Sequence, residues 1–139
     1  MGFVYAALAA VTWGLVYALD QKLLAGLSPM TLLFAASCVG LVLTLPFILW
    51  DLSEIRLVLR TPPTLKLLVL VEIFTCFASF FIFSSIKLLG ASTASIFEIS
   101  YPLFVVVFSL IIYGGTVNFW FCLGAAFLFI GSYIIIRWG

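Results

Sequence analysis

Histidine is absent from the 139 residues, and charged residues make up only 8% of them. The three cysteines, Cys38, Cys76 and Cys122, lie singly in three different hydrophobic stretches, where a thiol packs most simply as a small apolar group. A zinc site or a histidine-based catalytic triad therefore lacks its parts. A phosphate-binding glycine loop is missing too. We expect no catalytic residues, no metal and no cofactor, and we predict that the protein is not an enzyme.

Polar surface is also scarce. Hydrophobic residues account for 66% of the chain, and the mean hydropathy is +1.40. A soluble domain of this size needs far more polar surface. We therefore predict an all-α polytopic membrane protein with one domain, residues 1–139, and five transmembrane helices. Stretches about long enough to cross a ~30 Å hydrocarbon core occupy residues 3–24, 30–50, 65–87, 92–112 and 117–136.

Orientation in the membrane is weakly specified. An odd number of spans puts the two termini on opposite sides, so a tandem copy of the chain would insert upside down. Lysine and arginine normally mark the cytoplasmic side. Here they divide three against three, with Arg56, Arg60 and Lys66 on the N-terminal side and Lys22, Lys87 and Arg137 opposite. Two interpretations remain open: the clustered loop cations hold the N-terminus inside, or the chain inserts both ways.

Tryptophan occurs both at the ends of the predicted spans and in the middle of one. The interfacial headgroup zone is the preferred place of an indole, which suits the three at span ends: Trp50, Trp120 and Trp138. Trp13 lies midway along the first span and shares one helical face with Tyr17 and Asp20. This stripe predicts a cavity wall. The alternative is that Trp13 packs between helices while Asp20 pairs with Lys22.

Two glutamates lie within predicted spans. A charge near the bilayer centre costs about 2.5–3.5 kcal/mol, so such residues face protein or water and often carry function. Glu98 lies four residues before Pro102, which removes the donor for the Glu98 carbonyl and predicts a bend in the fourth helix. We assign Glu98 a functional role. For Glu72 a structural pair with Lys66 or Lys87 is an equally good interpretation.

The connections also carry local signals. Ser28 and Pro29 are typical of an N-cap and a first helical residue at the start of the second span. Leu52, Ile55 and Leu59 recur near helical spacing in the next connection, with charged residues between them. We predict a short interfacial helix there, ended by the proline pair at 62–63.

The order of these features resembles a known family. The run TWGLVYALDQKLLAGLSPMTLLFAAS resembles the opening of one repeat of the EamA-type drug/metabolite transporters, with its Trp-Gly pair, a following lysine and a Ser-Pro helix start. The run ASTASIFEISYPLFVVVFSLIIYGGTVNFWFCLGAAFLFIGSYIIIR resembles the end of such a repeat, with its small residues, mid-helix proline and glycine-bearing last helix. Family members usually fuse two inverted five-helix repeats. The resemblance implies that this chain is one half of an inverted-repeat transporter.

A half of this kind would work as an inverted pair. We predict a transporter with a cavity between the first, third and fourth helices. The resemblance implies that it exports a small metabolite or an amphipathic compound. The expected substrate-binding residues are Trp13, Tyr17, Phe97, Glu98 and Tyr101, and those expected to gate or couple are Glu98, Pro102, Glu72 and Asp20.

The expected partners are the lipid bilayer, the substrate, and a second copy or a separately encoded half in inverted orientation. Gly124 and Gly131 make the fifth helix the candidate contact between halves. We expect no nucleic-acid partner, and we expect a bacterial or archaeal inner membrane. The alternative function is a non-transporting membrane subunit that scaffolds a partner complex. An intramembrane glutamate beside a proline favours transport over this alternative.

Overall fold

The computed structural model describes residues 1–114 and 116–138, and in them it contains seven α-helices and no strand. The predicted all-α class is confirmed. In chain order the helices are α1 (Gly2–Leu24), α2 (Pro29–Trp50), α3 (Ser53–Arg60), α4 (Pro62–Leu89), α5 (Ala91–Glu98), α6 (Tyr101–Tyr113) and α7 (Phe119–Trp138).

Five helical segments are long and apolar enough to cross a membrane, which confirms the polytopic prediction. They are α1, α2, α4, the pair α5 and α6 taken together, and α7. At most 6% of the residues in the most apolar window of each span are buried within the protein, so nearly all of the apolar surface faces outward. A lipid environment is the one in which such surface is stable. The chain is an integral membrane protein.

Local sequence signals explain where the helices begin. The Ser28 side chain accepts a hydrogen bond from the Thr31 backbone N–H at 3.1 Å, and Pro29 opens α2, so both predictions for this turn are confirmed. The predicted short helix in the next connection is α3. The proline pair ends this helix as predicted, since Thr61, the residue before Pro62, is extended. Pro62 and Pro63 then form the first turn of α4, where a missing N–H costs nothing.

The fourth span is interrupted where the sequence predicts an irregularity. Helix α5 ends at Glu98 and α6 begins at Tyr101, with Pro102 in its first turn. Because Pro102 cannot donate to the Glu98 carbonyl and its ring would clash there, the regular helix cannot run through. The backbone tightens instead, and the Ser100 carbonyl accepts from Leu103 N–H at 3.0 Å. The predicted bend therefore takes the form of a break between two helices.

Close packing is concentrated at one end of the bundle, which we call the closed end. It comprises the C-terminal ends of α1 and α4, the N-terminal ends of α2 and α5, and the two turns that join them. The buried apolar side chains of the described residues all lie there: Leu24, Leu32, Ile86, Ala91 and Ala94. Helix α4 is the central element, since it packs against α1, α2, α3 and α5.

Two long-range hydrogen bonds tie the closed end together. Lys87 Nζ donates to the Leu27 carbonyl at 2.6 Å, which joins the end of α4 to the turn after α1. The Ala91 backbone N–H donates to Gln21 Oε1 at 2.6 Å and so satisfies a free donor at the start of α5. Gly90 makes the turn before it with a φ of 84°, a conformation that glycine adopts without strain.

Candidate functional site

A cavity of about 710 Å³ lies between α1, α4 and the fourth span. On α1 it is bordered by Ala6, Ala9 and Ala10, whose spacing puts three small side chains on one helical face. These methyl groups leave room that longer side chains would fill. The volume lies within the range typical of small-molecule sites, about 300–1,000 Å³.

Aromatic side chains form much of the cavity wall. The rings of Trp13 and Tyr17 meet edge to face with centroids 5.8 Å apart and an interplanar angle of 65°. Tyr101 contributes a third ring from the start of α6, and Phe83 a fourth from α4. Such a wall offers apolar contact area and the negative ring faces that attract cations.

A tyrosine and a carboxylate link two spans across this cavity. The Tyr17 hydroxyl on α1 donates a hydrogen bond to Glu98 Oε2 at the end of α5. Ser79 and Ser95 add hydroxyl groups to the same lining. The site therefore combines a wide apolar surface with one carboxylate among the described lining residues, held in place by a phenol from another helix.

Asp20 lies away from the cavity lining. It is one helical turn beyond Tyr17 and one turn before Leu24, so it points into the closed end. Its side chain is only 8% exposed, and its Oδ2 atom has no hydrogen-bond partner among the described residues.

Other residues predicted for the site lie elsewhere. Phe97 is 54% exposed and is not among the residues that line the cavity, although its neighbour Glu98 is. Pro102 also lies outside the lining and affects the site through the break in the fourth span. The exposed Glu72 side chain accepts a long contact of 3.9 Å from Cys76 Sγ one turn away. Lys87, a suggested partner of Glu72, is engaged by the Leu27 carbonyl instead.

Two parts of the arrangement were not predicted from the sequence. The small-residue face at Ala6, Ala9 and Ala10 was visible as a periodic pattern and could have been recognised. The Gln21 contact with the turn before α5 could not, because a lone glutamine at a helix end gives no periodic or motif signal. The tryptophans predicted for the interface do lie at helix ends: Trp50, Trp120 and Trp138.

Comparison with known proteins gives one family match. Residues 1–137 match the EamA-like transporter family. No curated protein and no solved structure matches the chain. The matched range includes the whole of the cavity lining and nearly all of the five spans.

Proposed function

The chain belongs to the EamA-like transporter family, and on that premise we propose that it moves small amphipathic molecules out of the cell through the cavity between α1, α4 and the fourth span. The family makes it a membrane transporter of the drug/metabolite type. The main support for a transport path through this cavity is the hydrogen bond between Tyr17 and Glu98. It places a polar pair in an apolar wall, where a purely structural bundle has no need of one.

The chemistry of the wall supports an organic cation or zwitterion as the substrate. An ammonium group can bind the Glu98 carboxylate, and the faces of Trp13 and Tyr101 can attract the same charge through their ring quadrupoles. The apolar body of the substrate would rest on alanine methyl groups of α1 and on α4. Amino acids and aromatic amines combine these features, whereas simple inorganic ions do not.

We propose further that the working unit is a pair of chains in opposite orientation. Among the described residues, those that border the cavity come from three spans, and Trp13 remains 57% exposed beside it. A second half inserted upside down would cover this open side, as in transporters built from inverted repeats. Five spans in one chain and an even division of Lys and Arg permit a second copy to supply that half.

Helix α7 is the proposed contact between the two halves. It packs mainly against α5. Its glycines Gly124 and Gly131 are one heptad apart, and apart from the helix's own backbone no atom of the described residues lies within 4 Å of the position that a Cβ would take. Small residues on an open helix face allow close approach of a second helix in lipid. Replacing both glycines with leucine should therefore weaken the pair.

Binding by the purified protein tests the substrate class. The mass of the detergent complex gives the number of chains, and thermal shift across a panel of amino acids, aromatic amines, carboxylates and sugars gives the ligand class. We expect amines and amino acids to raise the melting temperature. A matched variant, Trp13→Ala, should lose the shift, whereas Trp50→Ala at the interface should keep it. Stabilisation by carboxylates or sugars alone would contradict the proposed substrate class.

A further inference from the structure

Asp20 is the buried ionisable residue of the closed end, and the transport route described above does not use it. Its 8% exposure and the missing partner of Oδ2 distinguish it from Glu98, which receives the Tyr17 hydroxyl. A buried carboxylate without a partner is strongly disfavoured, whereas the neutral acid loses much less on burial. The closed end therefore favours Asp20 with its proton.

The charged groups around Asp20 do not neutralise it. From α4 the charged side chain at this end is Lys87, and its Nζ donates to the Leu27 carbonyl. From α5 the ionisable group is Glu98, which is held by Tyr17. The first turn of α2, at the closed end, carries no charged side chain, and on α1 itself the Lys22 side chain is exposed. No charged side chain of the described residues therefore neutralises Asp20, and a proton bound to its carboxylate would do so.

The geometry points to Asp20 as a proton-binding site that is occupied when the closed end is shut and emptied when it opens. Opening must break the bonds from Ala91 to Gln21 and from Lys87 to Leu27, and water then reaches the carboxyl group. The acid ionises, its O–H bond breaks, and the proton passes to water on that side of the membrane. Each opening would thus release one proton per chain, which deepens the proposed function by coupling transport to protons.

The direction of the pH effect follows from the proton count. The shut form binds one proton more than the open form, so raising the pH favours opening. Between the pH values at which the open form and the shut form lose the Asp20 proton, the ratio of open to shut protein rises at most about tenfold per pH unit.

Thiol labelling of the detergent-solubilised protein tests this without any substrate. A variant lacking Cys38, Cys76 and Cys122 receives one cysteine by Ala91→Cys at the buried end, where the alanine is 8% exposed. A second variant carries Ala25→Cys in the exposed turn nearby and corrects for the pH dependence of the thiol itself. We expect corrected labelling of position 91 to rise about threefold or more from pH 5 to pH 8.

Matched carboxyl variants decide whether Asp20 is responsible. Asp20→Asn should stay poorly labelled with a corrected ratio near one across the same range, while Asp20→Glu should keep the rise. Glu72→Gln removes an exposed carboxylate within α4 and should also keep it. A rise that persists in Asp20→Asn would overturn the inference, as would labelling independent of pH in the parent. Loss of substrate binding alone would overturn the proposed function and leave this result standing.

Discussion

Glu98 combines a carboxylate in the cavity with a backbone carbonyl at the break in the fourth span. Its side chain accepts from Tyr17, and its carbonyl loses a helical donor because Pro102 stands four residues later. The carboxylate in the cavity and the backbone carbonyl at the break therefore belong to the same residue. If substrate binds Glu98 as proposed, it therefore binds directly beside the break.

Replacing Glu98 should impair transport more than replacing Glu72. Glu98→Gln keeps the shape of the side chain but removes the charge, and a hydrogen bond to a charged group contributes about 1.5–3 kcal/mol. We expect substrate uptake into inside-out membrane vesicles to fall about tenfold or more. Glu72→Gln is the control, since its exposed side chain lies outside the cavity lining. Equal rates for Glu98→Gln and the unchanged protein would remove Glu98 from the transport route.

Tyr17→Phe should weaken substrate recognition while keeping the aromatic wall. The variant retains the edge-to-face contact with Trp13 but loses the hydroxyl that positions Glu98. We expect the half-saturating substrate concentration to rise several-fold, by about 1 kcal/mol in free energy for a lost hydrogen bond. Tyr133→Phe, in an exposed position on α7, is the matched control. An unchanged concentration dependence would show that the Tyr17 hydroxyl does not position Glu98.

The broken fourth span is the helical element most closely connected to the site. The break sits directly beside the cavity residues Glu98, Ile99 and Tyr101. Half-helices at membrane depth are tolerated where they border a cavity, since their free backbone groups can be satisfied there. We interpret the break as the point at which α6 moves relative to α5 during transport.

Pro102→Ala should restore a continuous helix across the break in the fourth span. The new N–H can donate to the Glu98 carbonyl, so α5 and α6 should merge, raise the melting temperature by several degrees and slow transport. Pro46→Ala is the control, because Pro46 lies inside α2 and outside the cavity lining. It should stabilise the protein without slowing transport. Slowing of equal size in both variants would indicate a general effect of rigidity.

Ser28→Ala should destabilise the start of α2. The alanine cannot accept the Thr31 N–H, and loss of an N-cap costs about 1 kcal/mol of folding free energy. Denaturant unfolding in detergent measures the difference. Ser37→Ala is a matched control in the same helix, where the hydroxyl only bonds the Leu33 carbonyl one turn back. A cost as large for Ser37 as for Ser28 would argue against the cap.

For the whole molecule, the sequence was sufficient to locate the spans. Bilayer thickness and the need to satisfy every backbone group leave few alternatives to a helix of about 20 apolar residues. Each predicted span end lies within three residues of its helix end. Helical spacing likewise put Trp13 and Tyr17 on one face. The closed end was not predictable, because its contacts join Gln21 to Ala91 and Leu27 to Lys87 across distant parts of the chain.

The odd number of spans allows the proposed inverted pair to be tested by gene fusion. Joining two copies end to end with a short flexible linker forces the second copy to insert upside down, because the first ends on the opposite side from where it begins. Adding one unrelated transmembrane helix to the linker restores the orientation of the second copy. Apart from this added helix, the two fusions differ only in whether their halves are inverted or parallel.

Transport by these two fusions, reconstituted at equal density with orientation verified by thiol labelling, is the most direct measurement. The inverted fusion should transport at least as fast per pair as the unfused chain, because both halves of the cavity are present. The parallel fusion should fall to the background of empty vesicles. Equal activity of the parallel and inverted fusions, or activity of the parallel one alone, would contradict the inverted pair.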